Sequence, residues 1–230
     1  YGKGKDHKPN PVVGMGLFLD GSGIPLAFSI YPGNKNEQPT LKMLEKEIIR
    51  EYGLSRFIVC TDAGLSSKAN KLFNSIQDRS FIMTRSIKKL PENLRDLALS
   101  DSGWRRVKDG KNIPSLNAVR PEGNEDVYYK EFPADNDDID ERIIITFSPK
   151  HAAYQKKIRE AQISRALKML KDHNVKKQRR NPNDPGRFIS RISVTGDGEI
   201  ADHDRYRLDT DKIREEALYD GFYGISTDLI

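Results

Sequence analysis

Arg56–Asn70 reads RFIVCTDAGLSSKAN. Four apolar residues, Phe57 to Cys60, run into Thr61 and Asp62, and a helical pattern then begins. The spacing predicts a strand over 56–62, a turn, and a helix from about Ser66 to Gln77. Ala69, Leu72, Phe73 and Ile76 fall on one face of that helix. In open α/β sheets, functional groups gather where a strand ends and the next helix begins. A carboxylate held there can bind a hard divalent cation such as Mg²⁺, which prefers oxygen ligands. Asp62 can also simply begin the turn, because aspartate bonds nearby backbone amides. On spacing alone the turn is the stronger reading, since one carboxylate is not a metal site.

Working upstream, YGKGKDHKPNP (1–11) is polar, basic and rich in Gly and Pro, and reads as a loop. VVGMGLFLD, GSG and IPLAFSIYPGN then read as two strands joined by a tight turn, a strong hairpin signal. Asp20 and Gly21 suit the backbone geometry of that turn. A helix follows, capped by Thr40, with Leu41, Leu44, Ile48 and Tyr52 at helical spacing and Gly53 as its stop. Downstream, SFIMTRSI (80–87) is a further strand. The order over 12–87 is strand, strand, helix, strand, helix, strand. The unalternating runs FIVC and FIM suit strands covered on both faces, as in a parallel or mixed α/β sheet, which would bury Cys60.

Residues 90–140 are polar and hold only short strand candidates such as DVYYKEF, while ERIIITFSP (141–149) is a clear strand. A long charged helix is expected over His151–His173, with Tyr154, Ile158, Ile163, Leu167 and Leu170 as a loose apolar stripe. NVKKQRRNPNDPG reads as a basic loop, RFISRISVT and RYRLD as solvent-facing strands. A last helix, capped by Thr210 or Asp211, runs through Tyr219 before the strand GFYGISTD. No internal repeat is visible. The chain is expected to split near residue 89 into an α/β sheet and a mixed β-containing module.

Composition sets outer bounds. Charged residues make up 32% of the 230 and hydrophobic ones 36%, which with clear apolar runs indicates a folded, globular chain. A net charge of +5 permits nucleic-acid binding without requiring it. No apolar run reaches the roughly 18 residues of a bilayer span, and the opening residues do not read as a secretory leader. The single cysteine, Cys60, excludes a disulfide framework within the chain and suits a cytoplasmic setting. The chain starts on Tyr1 and stops on STDLI, so a fragment of a longer protein is expected.

Few other residues offer chemistry. Asp20 reads as the hairpin turn, and Asp228, also after a strand, is a weaker second carboxylate. His7 in KDHKP lies in a loop, and DHDRY around His203 cannot converge on one ion without more ligands. YGKGK lacks the flanking strand and helix of a phosphate loop. Basic runs at RSIKK (85–89), KKQRR (176–180) and Lys3, Lys5 and Lys8 could each neutralise phosphates or form solvated faces. Trp104 could stack on a base, though it reads better as a core residue.

Taken in order, YGKGKDHKPNPVVGMGLFLDGSGIPLAFSIYPGNKNEQPTL, FIVCTDAGLSSKAN and FIMTRSIKK resemble the catalytic domain of bacterial insertion-sequence transposases of the DDE type. The subgroup is the cut-and-paste one with a β-rich insertion. EEALYDGFYGISTD extends the likeness to the strand before the last catalytic helix. The resemblance implies an α/β, ribonuclease-H-like mixed sheet with helices, lacking its first strand and last catalytic helix and interrupted by a mixed α+β insertion. It implies residues 1–89 and 206–230 as catalytic core and 90–205 as insertion. Asp62 matches the second of three carboxylates that together hold two Mg²⁺, with Mn²⁺ as a substitute. The first would lie upstream of Tyr1, and the Glu downstream of Ile230. Double-stranded DNA is the implied partner, held by Arg85, Lys88, Lys89, Lys176, Lys177, Arg179 and Arg180, in a homodimeric synaptic complex. The implied activity is polynucleotidyl transfer by the parent protein, with this fragment inactive alone. Loss of the central first strand would leave two sheet edges unpaired. The alternative expectation is a non-catalytic or domesticated nucleic-acid-binding module of the same fold.

Overall fold

The computed structural model describes residues 11–54, 56–119, 123–134, 138–172, 175, 183–193 and 204–229. The elements in chain order are β1 (Val13–Leu19), β2 (Pro25–Pro32), α1 (Gln38–Tyr52), β3 (Phe57–Thr61), α2 (Lys68–Asn74), β4 (Arg79–Arg85) and α3 (Glu92–Leu99). Then come β5 (Arg105–Arg106), β6 (Tyr128–Pro133), β7 (Arg142–Phe147), α4 (Pro149–Lys171), β8 (Ile189–Ser193), β9 (Asp204–Leu208), α5 (Thr210–Ala217) and β10 (Phe222–Thr227). The architecture is mixed α/β. One six-stranded mixed sheet has the order β3-β4-β10-β7-β6-β5, and β1-β2 and β8-β9 are separate antiparallel pairs. The chain divides into two units: Tyr1–Arg95 with Glu131–Ile145 and Tyr223–Ile230, and Asp96–Lys130 with Thr146–Phe222.

In the first unit the predicted hairpin forms, with Met15 opposite Ile30 and Leu17 opposite Phe28. Asp20 Oδ1 closes the turn by accepting from the Ser22 and Ile24 amides at 2.9 and 2.8 Å. Strand alternation sends Val13, Met15, Leu17, Leu19, Phe28 and Ile30 to an outer face, where all are exposed. Gly14 belongs to the opposite set, where a Cβ would lie 2.2 Å from a Tyr31 ring carbon. α1 packs against the hairpin and buries Leu41, Leu44 and Ile48 as expected. It begins at Gln38 rather than after Thr40, because Pro39 is pre-set for a first helical turn. Gly53 ends it in the left-handed region, at φ 61°.

β3 pairs in parallel with β4, with Val59 opposite Phe81 and Thr61 opposite Met83. The expectation of burial on both faces fails here, and Cys60 is exposed. Among the described residues β3 is the edge of its sheet, and its packing partners Leu41 and Leu65 gather with Val59 and Phe57 on one side only. Ile58 and Cys60 point the other way, and Ile58 is 52% exposed. β4 fits better, with Phe81 and Met83 fully buried.

α2 reverses the expected face. It is shorter than predicted, with a 3₁₀ turn at Ala63–Leu65 and Ser67 as its N-cap. Leu72 and Ile76 are exposed, whereas Asn70, Lys71 and Asn74 are buried. Burial of polar groups is favourable only when they are bonded, and these are. The Asn70 side-chain amide donates to the Gln38 and Leu65 carbonyls, each at 2.9 Å. Lys71 Nζ donates to Ser226 Oγ at 3.0 Å and to Glu141 Oε1, and Ser226 Oγ donates to the same carboxylate oxygen.

In the second unit Trp104 is a core residue, as its lone occurrence suggests. It is fully buried against Phe147 and Phe222, and its Nε1 donates to the Ser100 carbonyl at 2.9 Å. Lys130 Nζ lies 4.4 Å from the Trp104 ring centroid, and burial pulls its pKa down to about 8. α4 forms near its predicted bounds, but its inward stripe differs. Ile163 and Leu170 pack with Ala166, Phe188 and Ile189, while Tyr154, Ile158 and Leu167 are exposed. Earlier on α4 the inward positions are polar: Gln155 accepts from the Gly221 amide at 2.7 Å, and Arg159 pairs with Asp220. α3 lies in a stretch that read as irregular, and the Pro91–Glu92 start is its sequence signal.

Candidate functional site

A cleft of about 790 Å³ opens in the first unit. Every residue from Met15 to Gly21 lines it, and so does every residue from Phe57 to Asp62. Side chains alternate between the faces of a strand, so a cleft touching consecutive residues of both parities runs along a strand edge. Among the described residues β1 pairs only with β2, and β3 only with β4. Among the described residues the cleft therefore lies along two strand edges that have no further neighbour. Leu41, Leu44 and Ile48 of α1 supply its apolar floor.

Asp62 stands at the carboxyl end of β3, on the wall of this cleft. Its Oδ1 accepts from the Gly64 amide at 2.9 Å, which makes it the N-cap of the 3₁₀ turn. Its second carboxylate oxygen takes no hydrogen bond from a described residue. Asp62 is thus a turn former, and it still has a lone oxygen for a ligand.

Glu45 is the functional-looking residue that sequence reading missed. It is fully buried on α1 and lines the cleft. Oε1 accepts from Asn74 Nδ2 at 2.7 Å, while Oε2 is buried without a partner. Burial pushes its carboxyl up to about 7, against the opposing pull of Asn74, Arg79 and Lys42. A signal was present: Glu45 falls four residues after Leu41 and three before Ile48, inside the apolar stripe. Thr61 Oγ1, on β3, is also buried without a hydrogen-bond partner.

The other predicted residues separate. Arg85 ends β4 at the same end of the parallel pair as Asp62, since Thr61 is opposite Met83. It lines a small cavity of about 220 Å³ whose polar residues include Ser66, Lys68, Lys71 and Glu141 and whose apolar ones include Leu94 and Ile143. Lys88 and Lys89 follow on an exposed 3₁₀ turn. Asp228 is elsewhere. It accepts from the Phe81 amide at 2.8 Å, two strands from β3 and three residues back along it. Strand spacing and rise put it roughly 14 Å from Asp62, too far to share an ion. Burial raises its pKa, in keeping with a structural role. Lys176, Lys177, Arg179 and Arg180, with His7, His203 and the basic residues of 1–10, lie outside the described residues. Among the described residues no group of three or more His, Cys, Asp or Glu is placed to hold a metal, and no helix is long and apolar enough to cross a membrane. Compared with family models, with curated proteins and with solved structures, the chain matches none.

Proposed function

We propose that this chain is part of a DDE-type transposase with a ribonuclease-H-like core, acting on double-stranded DNA with Mg²⁺. The observation that carries the reading is the cleft along two open strand edges with Asp62 at its wall. That is the arrangement expected of such a core without its first strand. Exposed Lys88 and Lys89 and the end of β4 at Arg85 add cationic groups near the Asp62 end of β3, suited to positioning a phosphodiester backbone.

The donor set fits the metal in part. Asp62 offers one oxygen to a hard cation, and Mg²⁺ commonly takes only one or two protein carboxylates. The reading needs two further carboxylates, which the resemblance places outside these 230 residues. When bound, paired Mg²⁺ ions would activate the attacking oxygen and stabilise the leaving one in an in-line displacement. The Gly64 amide fixes one oxygen of Asp62, and the second would be the one available to a cation.

The test uses the product of the whole reading frame that contains these residues. Asp62→Asn keeps an oxygen for the Gly64 amide and so preserves the turn. It should abolish Mg²⁺-dependent strand cleavage and leave DNA binding within about twofold. Cleavage that survives the substitution would exclude Asp62 as a ligand. The capping bond itself favours the second reading, a non-catalytic nucleic-acid-binding module. That reading predicts no cleavage by the unsubstituted protein and DNA affinity that falls steeply with salt.

A further inference from the structure

α4, in the second unit, carries its charge unevenly. Its 23 residues hold seven lysines and arginines and a single acid, Glu160. Gln155, Arg159, Ile163, Ala166 and Leu170 make its inward contacts. Helical periodicity then sets Lys150, Ala153, Lys157, Ala161, Ser164, Lys168 and Lys171 along the opposite pole, and all of them are exposed. Glu160 lies beside this line and sits 4.0 Å from Lys156. Lys150 reaches Glu125 in an exposed pair at 2.6 Å. Lys157, Lys168 and Lys171 form no ion pair among the described residues. Like charges three residues apart weaken a helix, so Lys168 beside Lys171 is unfavourable within the chain itself. The sequence after α4 continues the bias: residues 173–182 contain four lysines and arginines and no acid.

A row of cations matches a linear polyanion. From Lys150 to Lys171 the line runs roughly 30 Å along the helix axis, the length of about nine base pairs. The alanines and serine between the lysines leave room for a phosphate backbone to approach. A helix that lies on a membrane needs large apolar side chains on its bound face. Here Ile158 and Leu167 stand on opposite flanks of the line instead. A protein partner would want a buried aromatic or aliphatic anchor at the centre of the face, where this line has Ala161. We propose that the outer face of α4 holds the sugar–phosphate backbone of duplex DNA without regard to sequence, through Lys157, Lys168 and Lys171. The inference rests on the double-stranded DNA partner of the reading above, which its catalytic and non-catalytic forms share. It fails separately from that reading, because Asp62→Asn is scored by cleavage and the lysines by binding.

The 230-residue chain is titrated into fluorescein-labelled duplexes of about 20 base pairs, of two unrelated sequences, at salt from about 0.05 to 0.2 M. Lys157→Gln, Lys168→Gln and Lys171→Gln are combined in one variant, since glutamine suits an exposed helix nearly as well as lysine. This variant should bind both duplexes at least about thirtyfold more weakly at about 0.1 M salt. The slope of log K against log salt should flatten by about 2–3. Arginine at the same three positions should keep the affinity within about threefold and leave the slope as it was. Lys35→Gln, Lys46→Gln and Lys108→Gln together remove the same charge from exposed positions elsewhere, and should weaken binding by less than about threefold. An equal loss in that control would reduce the effect to net charge and overturn the proposal. So would unchanged binding by the glutamine variant, an arginine variant as weak as the glutamine one, a loss confined to one duplex, or no duplex binding by the unsubstituted chain. If the glutamine variant lost affinity only for vesicles of phosphatidylcholine with about 30% phosphatidylserine, the face would belong to a membrane surface instead.

Discussion

Two buried carboxylates in the same unit live under different conditions. Glu141 shares its Oε1 between Lys71 and Ser226, and with its lysine partner it is almost wholly excluded from solvent. Glu45 is as deeply buried, yet its one hydrogen bond comes from an asparagine amide, and its second oxygen is buried without a hydrogen-bond partner. Burial pushes the Lys71 ammonium below its usual range, with Glu141 opposing, while it drives Glu45 toward protonation near neutrality. The contrast shows where this unit is finished and where it is open. Glu141 is bonded directly to a cation, whereas Arg79 and Lys42 act on Glu45 without a hydrogen bond and do not offset its burial.

The largest effect should come from breaking the finished side. Lys71→Met leaves the Glu141 carboxylate buried without its cation and should cost about 3–5 kcal/mol in urea unfolding. Replacing both partners, with Lys71→Met and Glu141→Leu together, should restore most of that loss; if it does not, the pair is more than a neutralised charge. The open side should behave in the opposite sense. A Glu45 carboxyl raised to about 7 from a usual 4.5 means the unfolded chain binds fewer protons than the folded one between those values. Stability from this group therefore falls as pH rises through that window, and the penalty is full above it. Glu45→Gln should stabilise the chain by about 3 kcal/mol at pH 8 and by almost nothing at pH 4. A gain independent of pH would show that the folded-state carboxyl does not titrate above its usual value. The smallest effect is at Asp62, whose fold role is one capping bond. Asp62→Ala should cost about 1 kcal/mol and Asp62→Asn only a few tenths.

The legible parts of the fold were those written in short range. The hairpin was visible because Asp20 and the glycines after it sit between two apolar runs, and α1 because Leu41, Leu44, Ile48 and Gly53 follow each other at fixed intervals. α2 was misread because Ala69 and Leu72 are left outside while polar residues are buried. What it buries is fixed by partners far along the chain, 32 residues away at Gln38, 70 at Glu141 and 155 at Ser226. No local period can carry such information. Cys60 was misread for a related reason: an apolar run shows that a strand exists, not how many of its faces find a neighbour. In the candidate site, Asp62 was legible from its place after a strand. Glu45 and Thr61 matter only because β1 and β3 leave a space between them.

The pairing of β4 with β10 also sets a timetable. Phe81 receives the Thr227 hydroxyl on its carbonyl and gives its amide to Asp228, bonds that span 146 and 147 residues. At about 5–20 residues per second, a ribosome needs roughly 7–30 s to add that much chain. Throughout that interval one side of β4 waits without its neighbour, while the hairpin and α1 are already complete in the growing chain. A nascent strand left open for that long is a natural client for a holding chaperone, and slow translation of residues 86–222 would lengthen its exposure.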